Sequence, residues 1–207
     1  MSTRKWQETG VITSSRERIR ESAKALFAER GYEAATTAAI CRLAGTSQSQ
    51  LIKHFTDKRG LLEAILEHAW EQINPAIRLA TESVSSPRQK LQILTDMVLS
   101  FLEKDRALRT LFLLEGRRIR GDGHMVVLVP GFLEFVKMLD EILKELASRG
   151  ELMPDLTPQA LRSGLMGALE GLLRDDLLAR SSHFPSAYTE ADIRTLLAAF
   201  LSSFLRH

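Results

Sequence analysis

Four uncharged hydrogen-bonding side chains stand in a row at Ser47, Gln48, Ser49 and Gln50, two residues after Gly45. A Gln amide places a donor beside an acceptor, the pattern that pairs bidentately with an adenine edge, whereas a Ser hydroxyl is less selective. Such chemistry needs the four residues held at a helix start, clear of the core. The flanking sequence supplies that arrangement. Cys41, four residues before the glycine, is small enough for two helices to cross closely, and Gly45 tolerates the positive φ of a tight turn. Leu51, six residues after the glycine, plugs back beside Ile40. Thr36 to Phe55 therefore reads as a helix-turn-helix whose second helix offers Ser47 to Gln50 to a major groove. The plainer alternative is the solvated start of a helix in any bundle.

Other chemistries lack their residues. Cys41 is the one cysteine, so no internal disulfide or cysteine-based zinc cluster forms, and a reducing, cytoplasmic setting is expected. The histidines at 54, 68, 124, 183 and 207 lack metal-ligand spacing. No nucleophile and base pair or phosphate-cradling glycine loop stands out, so no enzyme, metal or cofactor is expected. No stretch approaches about 18 uninterrupted apolar residues, and the start MSTRKWQETG lacks a signal-peptide core. The expectation is a chain neither exported nor embedded, and 44% hydrophobic and 26% charged residues suit a globular protein.

The elements that must hold the polar run are helices. From a Ser14 cap, Ile19, Ala23, Leu26 and Phe27 mark one face of a helix stopping at Gly31. Thr36 and Thr37 offer caps for a short helix to Ala44, Ser47 caps another carrying Leu51, Ile52 and Phe55, and Asp57 caps a longer one that Pro75 should bend or break. Further helices are expected at about 87 to 104, 106 to 119, 130 to 149, 157 to 181 and 189 to 206. The apolar run Met125 to Val129 reads as a helix end or apolar loop, because a lone strand would have no partner. The fold class is all-α.

Charge divides along the chain. Residues 1 to 60 carry 11 Lys/Arg against 6 acids, leaving 17 against 20 beyond them, so a net +2 hides a +5 head on a −3 body. A basic head suits a phosphate backbone, although alone it is often a solvated surface.

At these residues the chain resembles the TetR family of bacterial transcriptional regulators. The resemblance covers about residues 15 to 66: Phe27-Ala28-Glu29-Arg30-Gly31-Tyr32, the Thr36-Thr37 opening, Ala44-Gly45-Thr46-Ser47, Leu51, Lys53-His54-Phe55, Asp57-Lys58 and Leu61-Leu62. It departs at Ile52, where the family usually has Tyr, and at Ser49, where Gly is common. The family Tyr commonly packs and reaches phosphate, and Ile52 cannot make that polar contact. The resemblance implies that Thr36, Thr37 and Lys58 meet phosphate, that Gln48, Ser49 and Gln50 face bases beside Ser47, and that Lys53 and His54 touch the backbone. A packed interhelical role for His54 stays open. Arg4, Lys5, Arg16, Arg18 and Arg20 would add a basic arm, disordered over about 1 to 13, and a helix face. The implied division is a helix-turn-helix DNA-binding domain at 1–60 and a helical effector-binding and dimerisation domain at 61–207.

The body resembles the family in architecture alone. Its last two long helices carry Leu165, Leu169 and Leu172, then Leu197, Phe200, Leu201 and Phe204, with Gly164, Gly167 and Gly171 spaced for close approach. These leucines and phenylalanines are the expected dimer interface; internal packing is the alternative. Met97, Phe101, Phe112, Phe135 and Met138 would line an effector pocket or be plain core. Glu115 and Glu170, set among apolar runs, would orient an effector or pair with Arg117, Arg118 or Arg174. The reading is a homodimeric repressor bound to a double-stranded operator and released by a small-molecule effector. Its alternative is an effector-independent helical DNA-binding or protein-interaction module.

Overall fold

The structure is a computed structural model and describes residues 14–116, 127–186 and 188–206. Among the described residues the elements are helices in the order α1 (Ser15–Arg30), α2 (Thr37–Ala44), α3 (Gln48–Phe55), α4 (Lys58–Glu82), α5 (Pro87–Lys104), α6 (Arg106–Leu114), α7 (Pro130–Ser148), α8 (Pro158–Ser181) and α9 (Glu190–Ser203). The fold is all-α, as expected, and the described β-pairing is an isolated antiparallel bridge between Leu152 and Leu205. None of the described helices is long and apolar enough to cross a membrane.

Short polar side chains start the helices by giving their orphan N–H groups an acceptor. Ser14 and Glu17 form a reciprocal capping box on α1, and Thr36, Ser47, Asp105 and Thr157 accept from the backbone N–H three residues on. Thr189 and Asp192 repeat the capping box on α9. Asp57 accepts from the Gly60 N–H at 2.7 Å at the start of α4.

The chain packs as two compact units, Met1–Ala69 with Asp105–Val129 and Trp70–Lys104 with Pro130–His207. The first gathers Ile19, Phe27, Ile40, Leu51, Leu61, Leu62, Leu66 and Leu111, each under 2% exposed. Lys24 of α1 reaches Asp105 at the start of α6, 2.7 Å away, tying a helix distant in sequence to the head. The second unit buries Ile77, Leu91, Leu143 and Leu146 in its core.

Two expected helix ends differ, and Pro75 marks no break. Pro75 lies inside α4, which continues to Glu82. Pro75 is exposed, so the hydrogen bond it cannot donate is lost on the solvent side of the helix. The helix expected over 106 to 119 ends at Leu114, where the Glu115 and Gly116 N–H groups turn back onto Leu111 and Phe112; residues 117 to 119 lie outside the described residues. The last helix stops at Ser203 rather than 206. Phe204 and Arg206 instead exchange main-chain bonds with Met153 and Glu151, and that pairing replaces helical continuation. Of the run Met125 to Val129, residues 125 and 126 are not described, and 127 to 129 are irregular, with Val127 and Val129 buried.

Candidate nucleic-acid interface and body pockets

The helix-turn-helix is built from small residues and one left-handed turn. Cys41 and Ala44 of α2 are 4% and 5% exposed, and Leu51 of α3 is 1% exposed beside a fully buried Ile40. Burial pushes the Cys41 thiol above its ordinary pKa, which suits a packing role rather than reactivity. Gly45 holds φ 62° and ψ 45°, and the Thr46 N–H returns to the Cys41 carbonyl at 3.0 Å. The Arg18 Nε donates to the Ala44 carbonyl at 3.2 Å, closing the end of α2 from α1.

Beyond the turn, Ser47, Gln48, Ser49 and Gln50 are all exposed at the start of α3. Ser47 accepts from the Gln50 N–H at 3.3 Å, and its hydroxyl lies 2.8 Å from that of Ser49. The Gln48 and Gln50 amides point at no described protein partner and keep their donors and acceptors for another molecule. Thr36 accepts from the Ala39 N–H at 3.2 Å, which leaves its hydroxyl proton to donate outward, with Thr37 next to it in the first turn of α2. Lys53 is exposed in the last turn of α3, where its charge also complements the helix dipole.

Other expected contacts are engaged within the protein. His54 is half-buried, with its Nε2 2.9 Å from the Ser15 hydroxyl of α1, the interhelical arrangement left open by the sequence. Lys58 donates to the carbonyls of Tyr32, Glu33 and Ala35 at 2.8, 3.2 and 3.2 Å, and its ammonium lies 4.4 Å from the centroid of the Tyr32 ring. This geometry makes Lys58 a clasp on the α1–α2 loop. Arg16 lies over the Phe55 ring at 5.8 Å, and the Arg20 side chain is 13% exposed, so the α1 arginines are only partly a free basic face. Arg4 and Lys5 lie outside the described residues.

The candidate effector residues are shared between the two units. Phe112 and Glu115 belong to the first unit; Met97, Phe101, Phe135, Met138 and Glu170 belong to the second. Glu115 is 4% exposed, and both Glu115 and Glu170 have interactions of their own within the protein. Within the second unit, Met97 and Phe101 line an open cleft of ≈ 330 Å³ with Gln72, Ile73, Asp96, Ser100 and Lys104. Phe135 faces an apolar pocket of ≈ 40 Å³ with Leu94, Val98, Leu139, Leu165 and Met166. That is room for little more than a water, far below the roughly 300 Å³ of a ligand site. Met138 is 7% exposed in the core.

One residue passed over by sequence reasoning is Asn74. It is 2% exposed, its Nδ2 donates to the Gly131 carbonyl at 2.8 Å, and its Oδ1 is buried with no hydrogen-bond partner among the described residues. One turn before it, Trp70 stacks on Phe135 at 4.8 Å and meets Phe132 at 5.6 Å. A polar residue at the apolar spacing Trp70, Ile73, Asn74, Ile77 was the available signal.

Three of the residues expected at a dimer face are buried within the chain. Leu165, Leu197 and Leu201 are 8%, 2% and 8% exposed inside a single chain, so they pack its own core. Leu169, Leu172, Phe200 and Phe204 are intermediate, and Phe200 and Phe204 meet edge to face at 4.8 Å. Gly167 and Gly171 on α8 and Leu196, 53% exposed, on α9 are among the outward residues, whereas a Cβ at Gly164 would meet the Phe200 ring at 3.7 Å.

The profile of the family described as bacterial regulatory proteins, tetR family, matches residues 19–65, which include this helix-turn-helix. The nucleoid occlusion factor SlmA of Marinobacter nauticus is 27% identical over 199 residues, 96% of this chain and 90% of that one. The HTH-type transcriptional repressor KstR2 of Mycobacterium tuberculosis is 26% identical over 147 residues, 71% and 74% of the two chains. Among solved structures, the transcriptional regulator FadR from Bacillus subtilis in complex with stearoyl-CoA matches with a TM-score of 0.75 at 19% identity, covering 90% of this chain and 97% of that one. At that identity the likeness is one of fold.

Proposed function

Because the chain belongs to the TetR family of bacterial DNA-binding transcriptional regulators, we propose that it is a homodimeric repressor released from its operator by a small-molecule effector. The observation that carries the reading is the exposed polar start of α3, with the Gln48 and Gln50 amides unengaged behind a left-handed Gly45 turn. Thr36, Thr37 and Lys53 would hold phosphates and set the register, while the amides and hydroxyls of residues 48 to 50 read base edges. His54 and Lys58 would serve by holding α3 and the α1–α2 loop in place.

A dimer would use the outward face of α8 and α9, where the glycines permit close backbone approach and Leu196 supplies apolar surface. Twofold symmetry would place two reading helices about one DNA turn apart, ~34 to 36 Å. An effector releases DNA only if it binds a non-binding conformation better than the DNA-competent one. The open cleft of ≈ 330 Å³ at Met97 and Phe101 is large enough for a small ligand and supports an effector site in the second unit. The ≈ 40 Å³ apolar pocket would have to open around Phe135 and Met166 to admit a ligand.

The test is DNA binding by the full-length protein to sequences selected from a random pool, followed by titration with salt. A dimer making about six phosphate contacts loses roughly 10³-fold in affinity between 50 and 200 mM salt. Salt-insensitive or absent binding together with a monomer in sedimentation would sink the proposal. The ≈ 40 Å³ pocket around Phe135 supports a second reading, a DNA-binding protein with no effector, while the ≈ 330 Å³ cleft at Met97 and Phe101 supports the first. A thermal-shift screen separates the two, since a true effector raises the melting temperature with concentration and a closed core yields no such compound.

A further inference from the structure

Ile52 is 59% exposed on α3, among the exposed polar side chains of Gln48, Ser49, Gln50 and Lys53. Its neighbours on the helix define where it points. Leu51 and Phe55 are buried at 1% and 5%, so they mark the inward direction, and Gln48, Ser49 and Lys53 are exposed. At 100° per residue, Ile52 lies one turn beyond Gln48 and close in angle to the gap between Gln48 and Ser49. A branched aliphatic side chain thus stands directly beside the amide and hydroxyl that face the bases.

The surface such a helix meets is almost wholly polar. Amino groups, ring nitrogens and carbonyls line the major groove, and the one apolar group among its base edges is the C5-methyl of thymine. Pressing Ile52 against any of the polar edges would strip their water and return no hydrogen bond. Pressing it against a methyl removes apolar surface from water on both sides. We propose that Ile52 is a specificity residue that reads a thymine methyl within each half-site, next to the base or bases read by Gln48 and Ser49. The inference rests on the DNA-reading role given to α3 above and adds to it one base identity and the atom that is recognised.

The test uses deoxyuridine, which keeps thymine's pairing and lacks only the 5-methyl group. The full-length protein first selects duplexes from a random pool, and each thymine in the selected half-site is then replaced singly by deoxyuridine. Affinities are measured for the wild type and for Ile52→Ala, an exposed substitution that leaves the buried side of α3 intact. One thymine per half-site should weaken wild-type binding by about three- to fivefold on loss of its methyl, the effect of one buried methyl group. The same replacement should leave Ile52→Ala binding unchanged. A selected site with no methyl-sensitive thymine, or with a penalty that persists in Ile52→Ala, overturns this inference and leaves the DNA-binding reading standing. A pool that yields no bound sequence overturns both.

Discussion

Lys58 holds three main-chain carbonyls, those of Tyr32, Glu33 and Ala35, from the first turn of α4. Charge-assisted bonds of this kind contribute about 1.5–3 kcal/mol each when well buried, and less here because the site is only part-buried. Lys58→Met is therefore expected to lower the unfolding free energy by about 1–2 kcal/mol, measured by urea denaturation, while leaving the salt slope of DNA binding nearly unchanged. A slope reduced by about one would mark Lys58 as a phosphate ligand instead. Asp105 gives a pH prediction at the same scale. Burial pushes its carboxyl upward, but hydrogen bonds from Lys24 and the Leu108 N–H outweigh this and hold it below its ordinary value. Burial likewise pushes the Lys24 ammonium down, and its bonds to Asp105 and Glu21 more than offset it, so its pKa is raised. The Asp105 contribution is thus complete above an ordinary aspartate pKa of about 3.9 and is lost as pH falls through the lower folded value. The Lys24 contribution is complete below about 10.4 and is lost as pH rises through the raised folded value. Asp105→Asn keeps a helix cap and removes the charge; it should cost about 1 kcal/mol at pH 7 and almost nothing near pH 2. Equal losses at both pH values would assign the effect to packing.

The helix-turn-helix depends on a few local choices, and most of them are visible in the chain. Ser14, Thr36, Ser47 and Asp57 all stand at the helix starts that their side chains suggest, because a cap is satisfied within three residues of itself. Gly45 is visible for the same reason. No atom lies within 4 Å of a Cβ added there, so Gly45→Ala meets only backbone strain. The expected cost is about 1–2 kcal/mol, a drop of several degrees in the melting temperature, with weaker DNA binding as the turn distorts. Unchanged stability would mean that the turn relaxes freely. Helix ends were less legible than starts: α6 stops at Leu114 and α9 at Ser203. In α9 the cause is main-chain pairing with residues 151 and 153, more than 50 positions away in sequence, which no local pattern announces.

At the scale of the whole molecule, α8 and α9 are apolar over more of their circumference than one partner can cover. Leu165, Leu197 and Leu201 satisfy the chain's own core, which leaves Leu196 and the exposed glycines of α8 as the surface proposed for a dimer. Leu196→Asp is expected to shift sedimentation from dimer to monomer and to weaken operator binding at least tenfold, with little change in the far-ultraviolet helical signal. A variant that stays dimeric would move the interface elsewhere. The helices, their caps, the left-handed turn and the polar reading edge follow from the amino-acid order alone, since each rests on contacts within a few residues and on a 3.6-residue period. Which apolar residues turn inward, that His54 and Lys58 brace the head, and that Asn74 is buried beside Trp70 and Phe135 are decided by the packing of distant segments. A periodic pattern marks a face, and the neighbour that arrives determines what that face touches.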